Sequence, residues 1–250
     1  MNPLADTLER FNRKERNLLI RDILDCWDSI PPLGPAFCER LAEVVGISAN
    51  FLNGAWWATD FHFDWLAGAL LNFMKGKTPQ CNTPMPANAK SEDKVRLVMG
   101  NQEDIDLVVV AHEPAAKTYH LILFEAKAYG HFNKKQYKRK INRLELLYAF
   151  YTGLKKESPQ EIESPHNIVF HYIAYSPTEP QRLEAVRLPW QSNVATKLKH
   201  TYLRLRLSET SILTVTRCKA DGLRSIEGAH WKCEPLQSSR RSGAPQERRR

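Results

Sequence analysis

The sequence is poor in cysteine, and its cysteines are not spaced for a disulfide framework or a structural zinc site. They are odd in number, and none forms a Cys-x-x-Cys pair (Cys26, Cys38, Cys81, Cys218, Cys233). Disulfide scaffolds and zinc ribbons both need paired cysteines at short, regular spacings. We therefore predict reduced thiols in a cytoplasmic protein.

Long apolar runs and glycine-rich loops are also missing. No stretch approaches the ~20 apolar residues that span a bilayer. The first residues, from Met1 to Arg13, are charged and lack the apolar segment of a secretory signal. The chain also has no glycine-rich phosphate loop and no internal repeat. The sequence therefore predicts no membrane partner.

Two apolar segments with charged ends are the most informative feature of the sequence for predicting its function. They cover residues 104–110 and 120–127, and the polar, proline-containing stretch between them predicts a hairpin. Apolar runs of this length are typical of strands buried on both faces. Carboxylates that converge at the ends of such strands repel one another and need compensation. A divalent metal with a lysine beside it would supply that compensation.

Alternation along a strand places side chains two residues apart on the same face. Glu125 and Lys127 therefore point the same way, as do Asp104 and Asp106. Carboxylate ligands suit Mg²⁺ or Mn²⁺, and a neighbouring ammonium can orient a water or stabilise a phosphate. A second Glu-x-Lys, at residues 92–94, follows no apolar strand, so we interpret it as solvated surface.

A strongly basic helix is predicted over residues 133–153. Its apolar face recurs every three or four residues (Tyr137, Ile141, Leu144, Tyr148, Tyr151). Lys134 and Lys135 open the helix, and Gln136, Lys140 and Arg143 form one edge of it. Residues 117–150 hold eight basic and two acidic residues, in a chain of net charge +8. We predict that Lys134, Lys135, Lys140 and Arg143 contact nucleic-acid phosphates, and an ordinary solvated helix face is the alternative.

The order of these segments resembles the PD-(D/E)XK nuclease superfamily. The restriction-endonuclease-like core of that family is a helix, three antiparallel strands, a helix and a further strand. The matching segments here are a helix over 60–75, a short strand over 95–99, the two apolar strands, the 133–153 helix and a strand over 167–174. The resemblance covers residues 55–175. It implies an α/β fold with an αβββαβ core, in which helices flank a mixed central sheet.

The resemblance also implies a set of site residues. Its acidic residue on the second strand falls on Asp106, and its Glu-x-Lys falls on Glu125 and Lys127. Gln136 matches a polar position on the following helix, and Asp64 matches an acid on the first core helix. Metal ligands would then be Asp106, Glu125 and Asp64. No proline precedes Asp106, so Asp104 stays an alternative to it; Asp106 is favoured because it directly precedes the apolar run. Asp60 likewise stays an alternative to Asp64.

The flanking segments predict additions to this core. Residues 1–54 are predicted to be a helical extension that packs on the core, with helices over 6–28 and 36–45. The nuclease-like domain would cover 55–234, with a loop over 76–90. Strands within 200–217 would extend the sheet. Residues 235–250 are rich in Ser, Pro, Gly and Arg, which predicts a disordered basic tail.

The sequence therefore predicts a metal-dependent nuclease that hydrolyses phosphodiester bonds, with DNA favoured over RNA as its substrate. The alternative is a catalytically inactive nuclease-like domain that binds nucleic acid or a protein. The presence of Asp106, Glu125 and Lys127 together favours the enzyme, because a binding module has no need for buried paired acids. Formation of a homodimer is left open.

Overall fold

Five strands form a central sheet in which each strand lies beside its neighbours in sequence. The computed structural model describes residues 2–27, 30–75, 96–100, 103–129, 132–157, 167–180, 202–207 and 213–235. The strands are β1 (Trp56–His62), β2 (Asp104–Glu113), β3 (Thr118–Ala126), β4 (Asn167–Ser176) and β5 (Tyr202–Arg204). The pairs β1–β2 and β2–β3 are antiparallel, whereas the pairs β3–β4 and β4–β5 are parallel. The predicted mixed α/β sheet is confirmed.

Helices cover both faces of this sheet. They are α1 (Pro3–Phe11), α2 (Glu15–Ile23), α3 (Pro35–Val45), α4 (Phe63–Lys75) and α5 (Lys134–Glu157), with a short 3₁₀ helix at Ala49–Phe51. Side chains of α1, α4 and α5 share one core with the sheet, and α3 covers the opposite face. Because β3 and β4 are parallel, the chain must cross between their ends, and α5 makes that crossover.

The N-terminal segment forms two helices where the sequence predicts one helix over 6–28. Between α1 and α2, Asn12 and Lys14 adopt extended backbone conformations. The break lets the Lys14 ammonium reach Asp104 on β2, 2.6 Å away. The second predicted helix, over 36–45, corresponds to α3, which begins at Pro35 and ends at Val45 and is capped by Gly46, whose φ is 77°.

The strand predicted over 95–99 is wrong for the part that the structure describes. Residues 96–100 form no strand of the sheet, and β1 occupies its edge instead, ahead of the α4 helix in sequence. Side chains satisfy part of the backbone of this segment: Asp64 accepts from the amides of Met99 and Gly100, and Arg143 donates to the Leu97 carbonyl. A segment whose polar groups bond to side chains does not need a strand partner.

The C-terminal strands divide between two sheets. β5 extends the central sheet as predicted. The strands β6 (Leu213–Cys218) and β7 (His230–Pro235) instead pair only with each other, so the prediction that this run extends the central sheet is wrong. No helix in the described ranges is both long enough and apolar enough to cross a bilayer. The loop predicted over 76–90 and the tail from 236 lie outside the described residues.

Candidate active site

The candidate site lies where β2 begins and β3 ends. The backbone ladder between these strands stops at the pair Leu107 and Phe124. At Asp106, the residue before Leu107, the side chain accepts a hydrogen bond in place of the backbone. Its Oδ2 accepts a hydrogen bond of 2.6 Å from the Ala126 amide. Ala126 lies between Glu125 and Lys127. The hydrogen bond therefore fixes Asp106 beside the Glu-x-Lys segment, as the sequence predicts.

Glu125 and Lys127 project from β3 toward each other. The Lys127 ammonium lies 3.9 Å from Glu125 Oε1. Their exposures differ sharply, since the Glu125 side chain is 2% exposed and the Lys127 side chain is 30% exposed. The carboxylate is therefore held inside the protein, and the ammonium can reach a bound molecule. This arrangement matches the expectation that both side chains share one face.

Lys140 is a third member of this cluster. It reaches from α5 to Glu125 Oε2, and its side chain is only 2% exposed. The prediction that Lys140 contacts nucleic-acid phosphates is therefore wrong. Its physical reason lies in the helix period: Lys140 stands three residues after Tyr137 and next to Ile141, which places it on the buried face of α5. There it compensates a buried carboxylate.

The burial of Glu125 and the charges beside it shift the pKa of its carboxyl. Burial raises the pKa of the Glu125 carboxyl above its ordinary value. The Lys140 ammonium opposes that rise, the nearby Asp106 carboxylate adds to it, and Lys127 opposes it more weakly. The two acids are thus close enough to repel each other, which is the situation that a bound cation relieves.

Tyr172 of β4 borders the same cluster. Its hydroxyl is buried and has no hydrogen-bond partner among the described residues. Burial raises the pKa of the Tyr172 hydroxyl well above its ordinary value, and the charge on Glu125 raises it further. A buried hydroxyl without a protein partner usually indicates an ordered water or an ion beside it.

Asp64 does not join this group. Its carboxylate accepts from Arg143 and from the amides of Met99 and Gly100, at 3.2 and 2.8 Å respectively. No cluster of three or more His, Cys, Asp or Glu side chains able to hold a metal occurs within the described ranges. The prediction that Asp64 completes a three-carboxylate metal site is therefore wrong in this structure, because Arg143 and backbone amides already engage its oxygens.

Arg143 connects two buried acids and is not a surface residue. Its guanidinium contacts Asp64 and Glu103, the latter at 3.1 Å, and lies 4.5 Å above the ring of Phe63. The residue is 1% exposed. The prediction that Arg143 contacts phosphates is wrong, since a guanidinium buried between carboxylates cannot reach a nucleic acid. Glu103 also accepts from Arg139, at 2.9 Å.

The two alternative acids of the sequence analysis are both engaged by the N-terminal segment. Asp104 pairs with Lys14, and Asp60 pairs with Arg16 at 2.7 Å. Asp60 has a φ of 52°, which a residue with a side chain rarely adopts. Because Lys14 holds Asp104 while Asp106 lies beside Glu125, the structure favours Asp106 over Asp104 as the site residue.

The predicted surface positions at the start of α5 are exposed. Lys134, Lys135 and Gln136 all belong to its first turn and face solvent, and the amides of Lys135 and Gln136 donate to the side chain of Asn133. A helix N-terminus carries partial positive charge, and lysines there add to it. This turn therefore presents a positive surface. The Gln136 side chain makes no hydrogen bond to Asp106 or Glu125 among the described residues.

Sequence reasoning missed Glu103 and the true role of Lys140. The available signal was the helix period, since Lys140 and Arg143 fall among apolar residues that recur every three or four positions. Two cations on a buried face require buried acids opposite them. Glu103 and Glu125 both immediately adjoin apolar strand segments, where such acids would be found.

The donor set fits a divalent cation. Mg²⁺ is commonly held by one or two carboxylates together with water and substrate oxygens, and Asp106 and Glu125 offer two neighbouring carboxylates. The unpartnered Tyr172 hydroxyl fits a hydrated site as well. Comparison with known proteins adds no further assignment: no family model, curated protein or solved structure matches the chain.

Proposed function

We propose that the chain is a metal-dependent nuclease of the PD-(D/E)XK type, acting on DNA in preference to RNA. The observation that carries this proposal is the hydrogen bond from the Ala126 amide to Asp106, which sets two carboxylates and one lysine at adjoining strand ends. The helix predicted over 60–75 is α4, which begins at Phe63 and lies between β1 and β2 instead of before the three strands. β1–β3, α5 and β4 follow one another in the family's order of three antiparallel strands, a helix and a parallel strand. That order supports the assignment.

Each side chain has a distinct part in the proposed reaction. Asp106 and Glu125 would hold Mg²⁺ or Mn²⁺, which would supply Lewis acidity to the phosphate and lower the pKa of a bound water. Lys127, whose ammonium is partly exposed, donates hydrogen bonds to a phosphate oxygen or to the attacking water. Lys140 neutralises one oxygen of Glu125 and keeps that carboxylate fixed. Water attacks the phosphorus and loses a proton to solvent, and the bond to the leaving oxygen breaks as that oxygen takes a proton from solvent.

The entering backbone would follow the first turn of α5. Lys134 and Lys135 are exposed there, and the helix N-terminus favours an anion. Lys140, about 9 Å of helix after Lys134, contacts Glu125, so phosphates bound to the first turn of α5 would lie near the carboxylates. The positive charge of the chain is concentrated in this region, which suits a polyanionic substrate.

The proposal is tested by separating binding from cutting. Wild-type protein, Lys127→Met and Glu92→Gln are incubated with plasmid and with labelled single-stranded DNA in Mg²⁺. We expect Lys127→Met to lose cleavage by at least about 100-fold while its DNA affinity changes little. Glu92→Gln, in the second Glu-x-Lys, is the matched control and should cut normally. Cleavage by Lys127→Met at the wild-type rate would overturn the assigned role.

A second candidate function is a nuclease-like domain that binds nucleic acid without cutting it. One observation favours it: Glu125 is already neutralised by Lys140, and the described residues offer no third metal ligand. In that case the wild-type protein binds DNA with a steep dependence on salt but leaves both substrates intact in every metal tested.

A further inference from the structure

The helix α2 presents its apolar face to solvent. Leu19 is 57% exposed, Ile23 is 77% exposed, and Trp27 just after the helix is 50% exposed. Its only buried residue is Asn17. An amphipathic helix normally buries its apolar side, because removal of apolar side chains from water is favourable. The α2 face is therefore without a partner in the described part of one chain.

A second apolar face without a partner lies on the hairpin of β6 and β7. Alternation divides the hairpin into a face with Thr214, Thr216 and Lys232 and a face with Leu213, Val215 and Trp231. The second face is the exposed one, at 62%, 67% and 70% for its three apolar residues. An isolated two-stranded hairpin is only marginally stable unless it packs against further strands or a helix.

The two faces carry opposite charges. A groove on the α2 face is lined by Leu18, Leu19 and Trp27, with Glu15 and Asp22 among them. On the hairpin face, Arg217 lies directly opposite Trp231 and is exposed. Its guanidinium donates to the Ile226 carbonyl at 3.0 Å, which holds it on the hairpin. The two arginines of α2 are paired with Asp60 and Glu9, so the charges in the groove are those of Glu15 and Asp22. An apolar groove with two carboxylates and an apolar hairpin face with one guanidinium are complementary surfaces.

We propose that two copies of the chain associate by exchanging these surfaces, so that α2 of each copy packs on the β6–β7 hairpin of the other. The hairpin needs further strands or a helix on its apolar face, and α2 is a helix whose apolar face is exposed among the described residues. The five residues from Leu213 to Arg217 span about 13 Å of strand, and the eight from Glu15 to Asp22 span about 10 Å of helix, so the two surfaces match in length.

A reciprocal contact also closes the assembly. Each dimer contains the same helix–hairpin contact twice, related by a two-fold axis, and no α2 or hairpin face is left open to recruit a third copy. Within the described part of a single chain, α2 and the hairpin do not pack against each other. The proposed contact is therefore formed between copies. It needs neither metal nor nucleic acid, so it stands or falls independently of the proposed nuclease activity.

The test measures the mass of the full-length protein by light scattering across a concentration series. We expect a concentration-dependent dimer for the wild type. Leu19→Glu on α2 and Val215→Glu on the hairpin should each raise the dimer Kd by at least about 10-fold, because each places a charge in the apolar contact. Thr216→Glu puts the same charge on the opposite hairpin face, across from Lys232, and should leave the dimer unchanged.

Mixing the two variants distinguishes this arrangement from dimers in which α2 packs on α2 or hairpin packs on hairpin. An equal mixture of Leu19→Glu and Val215→Glu proteins retains one intact helix–hairpin contact and should form a heterodimer at concentrations where each variant alone is monomeric. A wild-type monomer at all concentrations overturns the proposal. So does a dimer that tolerates either Leu19→Glu or Val215→Glu, since it would use only one of the faces, and so does a mixture that stays monomeric.

Discussion

Lys140 on α5 donates to the Glu125 carboxylate on β3, and both side chains are 2% exposed. This pair places a cation beneath the candidate site, on the side away from solvent, while Lys127 approaches the same carboxylate from the more exposed side. Glu125 thus lies between two lysines with different roles. One compensates its burial, and the other is available to a bound molecule.

Replacement of Lys140 tests whether it stabilises the folded protein by compensating the buried Glu125 carboxylate. Lys140→Met keeps the aliphatic length but leaves a buried carboxylate without its cation, a change that typically costs about 3–5 kcal/mol. The loss should be larger at pH 8 than at pH 5, because protonation of Glu125, whose pKa is already raised by burial, relieves the unpaired charge at low pH. Urea unfolding at both pH values measures this. Lys135→Met, at an exposed position of the same helix, should be nearly neutral, and equal losses would refute the role given to Lys140.

DNA binding should depend on the exposed lysines in the first turn of α5, Lys134 and Lys135. Lys134→Ala with Lys135→Ala should weaken DNA binding and reduce the slope of log affinity against log salt by about two, since each phosphate contact contributes about one. Lys156→Ala, exposed at the far end of the helix, is the matched control. Fluorescence anisotropy at several salt concentrations checks this. An unchanged slope in the double variant would move the phosphate contacts elsewhere.

Arg143 should matter for folding rather than for binding. Arg143→Met leaves Asp64 and Glu103 without their shared guanidinium, and we expect a loss of about 3–5 kcal/mol in the free energy of unfolding. Arg143→Lys should recover little of it, because an ammonium cannot reproduce the planar fork that spans two carboxylates. Chemical denaturation measures both variants. If Arg143→Lys were as stable as wild type, the fork geometry would be irrelevant.

A pair of histidines at the other end of the sheet predicts acid sensitivity. His120 Nδ1 and His171 Nε2 lie 3.1 Å apart, and burial lowers the pKa of His171 to about 4 and lowers that of His120 as well. The folded protein then binds fewer protons than the unfolded chain, so the stability contributed by these residues is present above about pH 6.5 and is lost as pH falls toward 4. His171→Phe should flatten that decline relative to wild type in thermal unfolding between pH 4 and 7. A steeper decline in the variant would contradict the assignment.

Sequence patterns revealed the strands of the site because their apolar runs are long and end in charges. The hairpin of β2 and β3 and the pairing of Asp106 with the Glu-x-Lys segment follow from that pattern and from alternation. The roles of Lys140 and Arg143 could not be read in the same way. A cation on the buried side of a helix looks like one on its solvated edge until the acids that pair with it, Glu125 and Glu103, are located by the fold.

The wrong prediction of a strand over 95–99 has a similar cause. The segment 96–100 resembles a short strand in composition, but its polar backbone groups bond to Asp64 and Arg143, two side chains distant in sequence. The sequence also could not predict that β6 pairs with β7 in a separate sheet, because alternation identifies a strand but not its partner.

In the proposed nuclease, Asp106 and Glu125 hold a divalent cation that the cleavage of DNA requires. The most direct measurement follows plasmid and single-stranded DNA over time with purified protein that has been stripped with EDTA and then supplied with Mg²⁺ or Mn²⁺. We expect no cleavage in EDTA, recovery on addition of metal, and no recovery in Asp106→Asn or Glu125→Gln. Cleavage at the same rate in EDTA as in Mg²⁺, or normal cleavage by Asp106→Asn, would contradict the account.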